Sequence, residues 1–218
     1  MTIIVTDIEG TLTTGSSWRG FRSYFKQHYS ALTYNLFFIR FLARFPLMKL
    51  GLLDRQKTMT AWLKAEIGLM RGMPASEVNA MAEWVVFNEM WPKCRQDVLF
   101  ELEKKRLSGA QIVVVSVAYQ PIVEAFARKI DAKAIGTQLR YEDGKLQGIE
   151  LPVNSYQRKA EKVRATFPDA RIVAAYGDTM SDLPMMEMSE QPVAVYPDAK
   201  LLQVAKEKRW RVKSTTYR

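Results

Sequence analysis

Four short runs of apolar, mostly β-branched residues recur along the chain, and each ends in polar residues, proline or glycine. They cover residues 3–6, 111–116, 171–177 and 193–197. Because these runs lack a polar residue at every second position, they predict strands that are buried on both faces. Such strands are typical of a parallel sheet that is covered by helices.

Helical patterns fall between and after these runs. They cover residues 95–106, 121–130, 156–166 and 199–208. The alternation of strand and helix predicts an α/β fold, a doubly wound parallel sheet of the Rossmann-like type. The dipeptide Asp143-Gly144 lies between two short β-prone stretches and predicts a hairpin turn.

Residues 15–92 break the alternation because they show several helical patterns in succession. These patterns cover residues 18–29, 32–53, 55–70 and 76–90. A helical block inserted after the first strand of an α/β domain predicts a cap subdomain at residues 15–92. Residues 1–14 and 93–218 then form the α/β core.

The chain has a formal net charge of +9, and the excess lies in two segments. Residues 1–60 sum to +5, residues 200–218 to +6, and the rest of the chain to −2. Such segments attract phosphorylated substrates or acidic membranes, although a basic run can equally be a solvated surface. The basic tail alone does not predict nucleic-acid binding.

Residues 31–53 are unusually apolar, and their only charges are Arg40, Arg44 and Lys49. Three cations and Pro46 argue against a membrane span. We expect this segment to pack within the cap or at a dimer interface. Peripheral membrane contact through a basic amphipathic helix is the alternative.

Cys94 is the one cysteine, so an internal disulfide is impossible and a reducing compartment is expected. The N-terminus lacks the basic segment and long apolar run of a signal peptide. We therefore expect a cytoplasmic protein. Because His28 is the one histidine, a catalytic Cys-His pair would need these two residues, and we expect an inert thiol instead.

Two acids, Asp7 and Glu9, follow the first predicted strand, and Gly10 allows the chain to bend there. In open parallel sheets, ligands bind at this carboxyl edge. Two neighbouring acids repel each other unless a cation lies between them or one is protonated. One of them can then attack phosphorus while the other transfers protons.

Four further polar residues lie at strand ends or helix starts. Ser116 offers a hydroxyl to a phosphate oxygen, or simply begins a turn. Lys159 lies near a helix N-terminus, where a lysine can hold an anion, although Arg158 and Lys162 are close competitors. Asp178 and Asp182 offer the oxygen ligands that magnesium prefers, although Asp182 also fits as an N-terminal helix acid.

Together these positions resemble the four motifs of the haloacid dehalogenase superfamily of phosphohydrolases, and the chain is most similar to the phosphoserine-phosphatase-like branch. The motifs are Asp7-Ile8-Glu9-Gly10-Thr11-Leu12-Thr13, Val114-Val115-Ser116-Val117-Ala118-Tyr119, Lys159-Ala160-Glu161 and Ala175-Tyr176-Gly177-Asp178-Thr179-Met180-Ser181-Asp182-Leu183-Pro184. The resemblance covers nearly the whole chain. It implies a phosphatase that takes a phosphorylated small molecule as its substrate.

The resemblance also implies a role for each motif. Asp7 would attack phosphorus and become an aspartyl-phosphate, and Glu9 would protonate the leaving alcohol and then activate water. Magnesium would be bound by Asp7, the backbone carbonyl of Glu9 and Asp178, with support from Asp182.

Phosphate binding is the second implied role. Ser116 and Lys159 would hold the phosphoryl oxygens, and Gly10 and Thr11 are further phosphate-binding candidates in the first motif. The helical cap would close over the substrate and exclude water.

The sequence departs from the family at Glu9, where aspartate is usual. The extra methylene moves the carboxylate by about 1.5 Å, and a misplacement of about 1 Å can slow catalysis about 100-fold. The leading hypothesis is a magnesium-dependent phosphomonoesterase. The alternatives are a lipid-phosphate phosphatase at a membrane surface, phosphoryl transfer to an alcohol, or a catalytically impaired binding protein.

Substrate choice is expected to lie in the cap. Its main candidates are Arg19 and Arg22. Further basic and aromatic candidates are Lys26, Arg40, Arg44, Trp18, Phe21, Tyr24 and Phe25.

Overall fold

A computed structural model describes residues 1–29, 39, 44–50, 52–151 and 156–214. Within this part of the chain, seven strands form one sheet in the order β4-β3-β2-β1-β5-β6-β7. The strands are β1 (Thr2–Thr6), β2 (Gln111–Tyr119), β3 (Lys133–Glu142), β4 (Lys145–Leu151), β5 (Arg171–Gly177), β6 (Pro192–Val195) and β7 (Arg211–Lys213). All neighbours are parallel except β3 and β4, which form the predicted hairpin. The α/β doubly wound prediction is confirmed.

Helices cover the sheet and fill the interval between β1 and β2. The described α-helices are α1 (Ser17–His28), α2 (Arg44–Lys49), α3 (Arg55–Met70), α4 (Ala75–Val85), α5 (Gln96–Leu107), α6 (Gln120–Arg128), α7 (Tyr156–Thr166), α8 (Leu183–Met186) and α9 (Ala199–Glu207). Helices α1 to α4 lie between β1 and β2 along the chain, as the predicted helical insertion requires. Its subdomain boundaries at residues 15 and 92 stay a prediction.

Both faces of the sheet are buried, as the unbroken apolar runs predict. Ile3, Ile4 and Val5 of β1 are fully buried. Ile4 packs into the core between the sheet and the cap helices, whereas Ile3 and Val5 pack into a second core on the opposite face. Burying one such side chain stabilises the fold by about 1.5–3 kcal/mol. The buried central strands therefore form a rigid edge of the sheet, and Asp7 lies at this edge.

Aromatic residues of α1 lie in the core between the sheet and the helices inserted after β1. Phe21, Tyr24 and Phe25 are buried. The rings of Phe21 and Phe25 stack at 4.6 Å, and Tyr24 meets Trp84 of α4 edge-on at 5.5 Å. In this structure the three rings are used in packing, and their predicted contact with substrate stays a prediction.

Several element boundaries differ from the sequence predictions. β2 continues to Tyr119, three residues past the predicted run, with an irregular register against β3 between Val115 and Tyr119. The predicted helix 76–90 ends as an α-helix at Val85 and continues as a π-helical turn, Val86–Met90. β7 was not predicted because it has one apolar residue, Val212, and forms only by pairing with β6.

The segment 31–53 lies largely outside the described residues, apart from Ile39, the short helix α2 and residues near it. Among the described helices, none has both the length and the apolar character needed to cross a membrane. The peripheral-membrane and oligomer interpretations of this segment stay predictions.

The basic C-terminal region is partly neutralised by acids of the same chain. Lys208 pairs with Glu187 at 2.6 Å, and Arg211 pairs with Glu101 at 2.6 Å. Lys213 lies 3.1 Å from Asp97. These pairs connect β7 and its preceding turn to the core, so part of the charge excess stabilises the fold.

The Cys94 thiol is half-buried, and burial raises its pKa to about 11. The thiol is therefore protonated at neutral pH and a poor nucleophile, as the interpretation of Cys94 as an inert thiol requires.

Candidate active site

Asp7 and Asp178 lie just beyond the carboxyl ends of two neighbouring strands. The amide of Asp7 donates to the Tyr176 carbonyl at 3.1 Å, which extends the pairing of β1 with β5 by one residue. Asp178 directly follows Gly177, the last residue of β5. The parallel sheet therefore brings together two acids that are 171 positions apart in the chain.

Lys159 joins two of the predicted site residues from α7. Its Nζ donates to Oδ1 of Asp7 and to Oδ1 of Asp182, each at 2.6 Å. The exposed fractions of these side chains are 4% for Lys159, 7% for Asp7 and 1% for Asp182. Lys159, rather than Arg158 or Lys162, is thus the lysine that α7 directs into this cluster.

The cluster carries more negative than positive charge. Oxygens of Asp7, Asp178 and Asp182 lie within 4.8 Å of one another, and Lys159 is the one cation hydrogen-bonded to them in the described part of the chain. Three ionised carboxylates and one ammonium would leave two uncompensated negative charges. A divalent cation that prefers oxygen ligands, such as magnesium, fits this balance.

The pKa values of the cluster reflect the same surplus of negative charge. Burial raises the pKa of Asp7 well above its usual value, Lys159 opposes this, and the charges of Asp182 and Asp178 add to it. Burial and the charge of Asp182 raise the pKa of Asp178 to about 7. Burial lowers the pKa of Lys159, but the charges of Asp182 and Asp7 outweigh it and hold the ammonium protonated. A bound divalent cation would lower the pKa of both acids.

Asp182 uses both carboxylate oxygens within the protein. Oδ1 accepts from Lys159, and Oδ2 accepts from the amides of Asp178 and Thr179, each at 3.2 Å. This geometry favours a positioning role, in which Asp182 orients Lys159 and the turn after β5. The prediction that Asp182 supports the metal site stays a prediction.

Two features require glycine at position 10: the backbone conformation there and the close approach of the Asp178 side chain. Its φ is +91°, and a Cβ there would lie 2.0 Å from Oδ2 of Asp178. Thr11 is fully buried, and its hydroxyl donates to Oδ1 of Asp178 at 3.1 Å. In this structure both residues thus hold Asp178 in place, and their predicted phosphate contacts stay predictions.

Glu9 reaches the N-terminus of the first cap helix. Its Oε1 accepts hydrogen bonds from the Ser17 amide at 3.0 Å and from the Ser17 hydroxyl. A carboxylate is favourable at this end of a helix because the first amides are unpaired and the helix dipole is positive there. The Glu9 side chain therefore links the loop after β1 to helix α1, a contact that the sequence did not indicate.

Ser116 lies at the same sheet edge as Asp7. β2 pairs with β1 so that Val114 lies beside Thr6, and Ser116 extends past the end of β1. The buried hydroxyl oxygen accepts from the amide of Ala118 at 3.2 Å. Its own proton is then available to a phosphoryl oxygen.

Arg95 supports the first motif and was missed in the sequence. Its Nε donates to the Gly10 carbonyl at 3.1 Å, and its amide donates to the Leu12 carbonyl at 2.8 Å. The guanidinium lies 3.8 Å from the ring centre of Tyr196. Arg95 is the N-cap of α5, where a cation is unfavourable for the helix dipole, and this could have drawn attention to it.

The predicted substrate residues of the cap are only partly located. Arg19 is exposed, and its guanidinium lies 5.4 Å from the ring centre of Trp18. Arg22 is half-buried on α1, and Lys26 is exposed. Arg40 and the side chain of Arg44 lie outside the described residues. Within the described residues, no hydrogen bond joins Arg19 to the cluster of Asp7, Asp178, Asp182 and Lys159, so its substrate role stays a prediction.

Glu66 of α3 was also missed. It is buried, and its Oε2 accepts from the Tyr119 hydroxyl at 2.9 Å. Trp62, Glu66, Ile67 and Met70 share the buried side of α3. An acid within an otherwise apolar helical stripe was the signal in the sequence that could have revealed it.

Comparison with known proteins gives relatives along almost the whole chain. Phosphoserine phosphatase SerB1 of Mycobacterium tuberculosis is 24% identical over an alignment of 218 positions. The alignment covers 95% of this chain and 68% of the relative. A Bordetella pertussis Tohama I protein of unknown function superposes with a TM-score of 0.79 at 18% identity, covering 98% of this chain and 99% of that one. A phosphoserine phosphatase solved as a phospho-aspartyl intermediate analogue has a TM-score of 0.61 at 17% identity, covering 97% and 92%.

The family is shown by a match to its sequence profile. The profile of haloacid dehalogenase-like hydrolases matches residues 4–187, which include every motif residue named above. The predicted resemblance is therefore confirmed, and so is the prediction of a phosphatase at the level of the family and its relatives. The chain belongs to the haloacid dehalogenase-like hydrolase family.

Proposed function

We propose that this protein is a magnesium-dependent phosphomonoesterase that acts through an aspartyl-phosphate at Asp7. The observation that carries the proposal is the buried bridge in which Lys159 holds both Asp7 and Asp182 at 2.6 Å. Burying a carboxylate next to two further acids costs stability. Clusters with such a cost are concentrated at functional sites. A structurally similar phosphoserine phosphatase has been solved as a phospho-aspartyl intermediate analogue, which supports the same chemistry here.

Asp7 is the nucleophile in this proposal. Lys159 holds Oδ1 of Asp7, so the second oxygen is directed to attack phosphorus. The new bond between Asp7 and phosphorus forms as the ester bond breaks, and the leaving alcohol takes a proton from Glu9. Water then gives a proton to Glu9 and attacks phosphorus, which releases phosphate and restores Asp7.

In this proposal, residues around Asp7 bind and orient the phosphoryl group. Ser116 and Lys159 bind its non-bridging oxygens, and Ser17 fixes the direction of the Glu9 carboxyl through two hydrogen bonds. Asp7, Asp178 and the backbone carbonyl of Glu9 would hold the magnesium ion. Magnesium supplies charge neutralisation for the phosphoryl group and the acids when it is bound.

The cap excludes water from the reaction. Asp7 is only 5% exposed, and in this proposal the cap opens to admit substrate. Closure of such a cap sequesters the intermediate until water is admitted to it. A site that closes over its substrate accommodates a small molecule, so we favour hydrolysis of a small phosphorylated metabolite.

The alternative functions lack a comparable observation in the described residues. The lipid-phosphate alternative depends on residues 31–53, most of which lie outside them. The impaired-enzyme alternative depends on Glu9, whose carboxylate is held in place by Ser17. Cytoplasmic location also stays a prediction.

The test is a panel of phosphorylated metabolites and lipids, assayed with and without magnesium. We expect magnesium-dependent turnover of at least one metabolite, and a loss of at least about 1000-fold in Asp7→Asn, because the amide cannot act as the nucleophile. Folding of the variant is checked by circular dichroism. Absence of turnover in the folded wild type contradicts the enzyme proposal, and turnover that survives in Asp7→Asn contradicts the nucleophile.

A further inference from the structure

The turn after β6 is strained at Tyr196. This residue directly follows Val195, the last residue of β6, and its φ is +44°. Glycine adopts this left-handed conformation readily and asparagine tolerates it, but for a bulky side chain it is rare and costs free energy. Strain of this kind persists only where the surrounding structure holds the residue, and it is concentrated at functional sites. The backbone alone therefore does not account for a tyrosine at this position.

The backbone of the same turn is bonded to β7 and to the active site. The Tyr196 amide donates to the Lys213 carbonyl of β7 at 2.7 Å, and the Asp198 amide donates to the Asp178 carbonyl at 2.8 Å. The carboxylate of Asp198 also caps α9, because it accepts from the Leu201 amide at 2.8 Å. The turn therefore fixes the backbone of Asp178, one of the metal-ligand candidates.

The ring of Tyr196 lies against a cation. The guanidinium carbon of Arg95 is 3.8 Å from the ring centre, which makes this a close cation–π contact. Both side chains are half-buried, so water and salt screen the contact less than they would at the surface. A planar guanidinium that stacks on an aromatic face also has its N–H groups held in fixed directions. The ring therefore orients Arg95.

Arg95 in turn holds the loop after β1. Its Nε donates to the Gly10 carbonyl at 3.1 Å, and its amide donates to the Leu12 carbonyl at 2.8 Å. Gly10 is in close contact with Asp178, since a Cβ at position 10 would lie 2.0 Å from Oδ2 of that residue. A shift of the Gly10 backbone would therefore displace the Asp178 carboxylate. The turn after β6 thus supports both loops that carry metal-ligand candidates.

Packing is the other explanation of the Tyr196 ring, because the ring also lies against the core between the sheet and the inserted helices. Packing requires an apolar side chain of about this size, whereas orienting a guanidinium requires an aromatic face. Leucine meets the first requirement alone, and phenylalanine meets both. Substitutions at position 196 therefore separate the two explanations.

We propose that Arg95 and Tyr196 form a positioning pair that holds the Gly10 carbonyl, and through it keeps Asp178 in the geometry that binds magnesium. The inference goes beyond the proposed phosphomonoesterase function and rests on it for the magnesium site. Both members of the pair act through Gly10, and neither is assigned a contact with substrate or metal.

The test is a double-mutant cycle of Arg95→Met and Tyr196→Leu. Turnover of p-nitrophenyl phosphate gives kcat and KM, and calorimetry without substrate gives the dissociation constant of magnesium. We expect Arg95→Met to lower kcat by about 10- to 100-fold, because the catalytic geometry shifts. We expect Tyr196→Leu to lower kcat by about threefold to tenfold, with KM within about threefold in both variants.

The double variant shows whether the two residues act as a pair. We expect its kcat to match that of Arg95→Met, because the ring acts only through the guanidinium. The dissociation constant of magnesium should rise in both single variants and rise no further in the double variant. If Tyr196→Leu does not fold, Tyr196→Asn takes its place in the cycle, because asparagine tolerates the left-handed conformation.

Two further variants control the experiment. Tyr196→Phe keeps the aromatic face and should keep the wild-type kcat and magnesium affinity. Phe100→Leu makes a matched change from ring to leucine on α5, where Lys104 lies 4.4 Å from the centre of an exposed ring. This variant should also keep both wild-type values, because its cation–π contact does not reach the loop after β1.

The outcomes separate this inference from the function on which it rests. Additive losses in the double variant, or wild-type values in Tyr196→Leu, overturn the pair and leave the phosphatase proposal intact. Equal losses in Tyr196→Phe and Tyr196→Leu also overturn it, because the aromatic face is then irrelevant. If wild type binds magnesium without turnover, the phosphatase proposal fails and the dissociation constants still decide the inference. If wild type neither binds magnesium nor turns over, both fail.

Discussion

At the residue scale, the site depends on close contacts that only certain side chains permit. Gly10 is the clearest example, because a Cβ there would lie 2.0 Å from the carboxylate of Asp178. Asp178 is further held by the hydroxyl of Thr11. The position of one metal-ligand candidate therefore depends on the absence of a side chain elsewhere.

We expect Gly10→Ala to weaken magnesium binding and to lower turnover by at least about 100-fold, because Asp178 must move. Gly72→Ala is the matched control. Gly72 has a similar φ of +87°, but nothing lies within 4 Å of its added Cβ. Both variants carry the backbone strain, so magnesium titration of turnover isolates the contact with Asp178. Equal effects in the two variants would refute this account of Gly10.

The residue scale also shows how far the sequence predicts the site. Asp7, Lys159 and Asp178 follow recognisable motifs, and the structure brings them together with Asp182. Arg95 and Glu66 belong to no motif, since their roles depend on contacts with residues distant in the sequence, Gly10 and Tyr119. Such contacts are set by tertiary packing, which a local pattern does not contain.

At the element scale, the notable connection is between the loop after β1 and helix α1. The Glu9 carboxylate binds the first residue of α1, Ser17, through its amide and its hydroxyl. The length of the glutamate side chain makes this contact possible across the loop. The N-terminus of the first cap helix is thus held by the proposed acid-base residue.

We expect Glu9→Asp to destabilise α1 by about 0.5–1 kcal/mol, because the shorter carboxylate loses the helix N-terminus. Hydrogen exchange of the α1 amides measures this directly and should accelerate by about twofold to fivefold, the rate equivalent of that free energy. Asp54→Glu is the control, since Asp54 caps α3 through the Lys57 amide at 2.7 Å. Unchanged exchange in Glu9→Asp would contradict the link between this loop and the cap.

The elements themselves were predicted unevenly. α7 (Tyr156–Thr166) and β5 (Arg171–Gly177) match their predicted bounds, because each has a strong pattern with clear ends. β7 and the first half of β3 were not predicted, because their residues are too polar or too mixed for a local pattern. These strands form by pairing with neighbours, and pairing is a property of the sheet.

At the scale of the whole molecule, a charged cluster fastens the C-terminal strand to the core. Arg211 of β7 donates to both oxygens of Glu101 in α5, each at 2.6 Å. Tyr176 of β5 donates to the same carboxylate at 2.6 Å. One acid therefore joins three elements that are far apart in the sequence.

This cluster predicts a component of acid sensitivity. Burial acts to raise the pKa of Glu101, but the hydrogen bonds of Arg211 and Tyr176 outweigh it and lower the pKa to about 2. The carboxylate therefore stabilises the fold fully above its unfolded pKa, about 4.3, and this stability is lost as the pH falls through about 2.

We expect Glu101→Gln to lower the free energy of unfolding by about 1–2 kcal/mol at neutral pH, with a smaller difference from wild type near pH ~2. Glu103→Gln on the same helix is the control, because Glu103 pairs with Arg106 at a position where its side chain is 46% exposed. Urea denaturation across this pH range measures the difference. A constant difference between wild type and Glu101→Gln at every pH would contradict the assignment.

The central claim, that Asp7 carries the phosphoryl group, is tested most directly by trapping the intermediate. Wild type is quenched in acid during turnover of p-nitrophenyl phosphate with magnesium, reduced with borohydride, and analysed by peptide mass spectrometry. Borohydride converts an acyl phosphate at aspartate into homoserine, so the account predicts homoserine at position 7 in wild type and its absence in Asp7→Asn. Turnover with an unmodified Asp7, or with the modification at another residue, would contradict it.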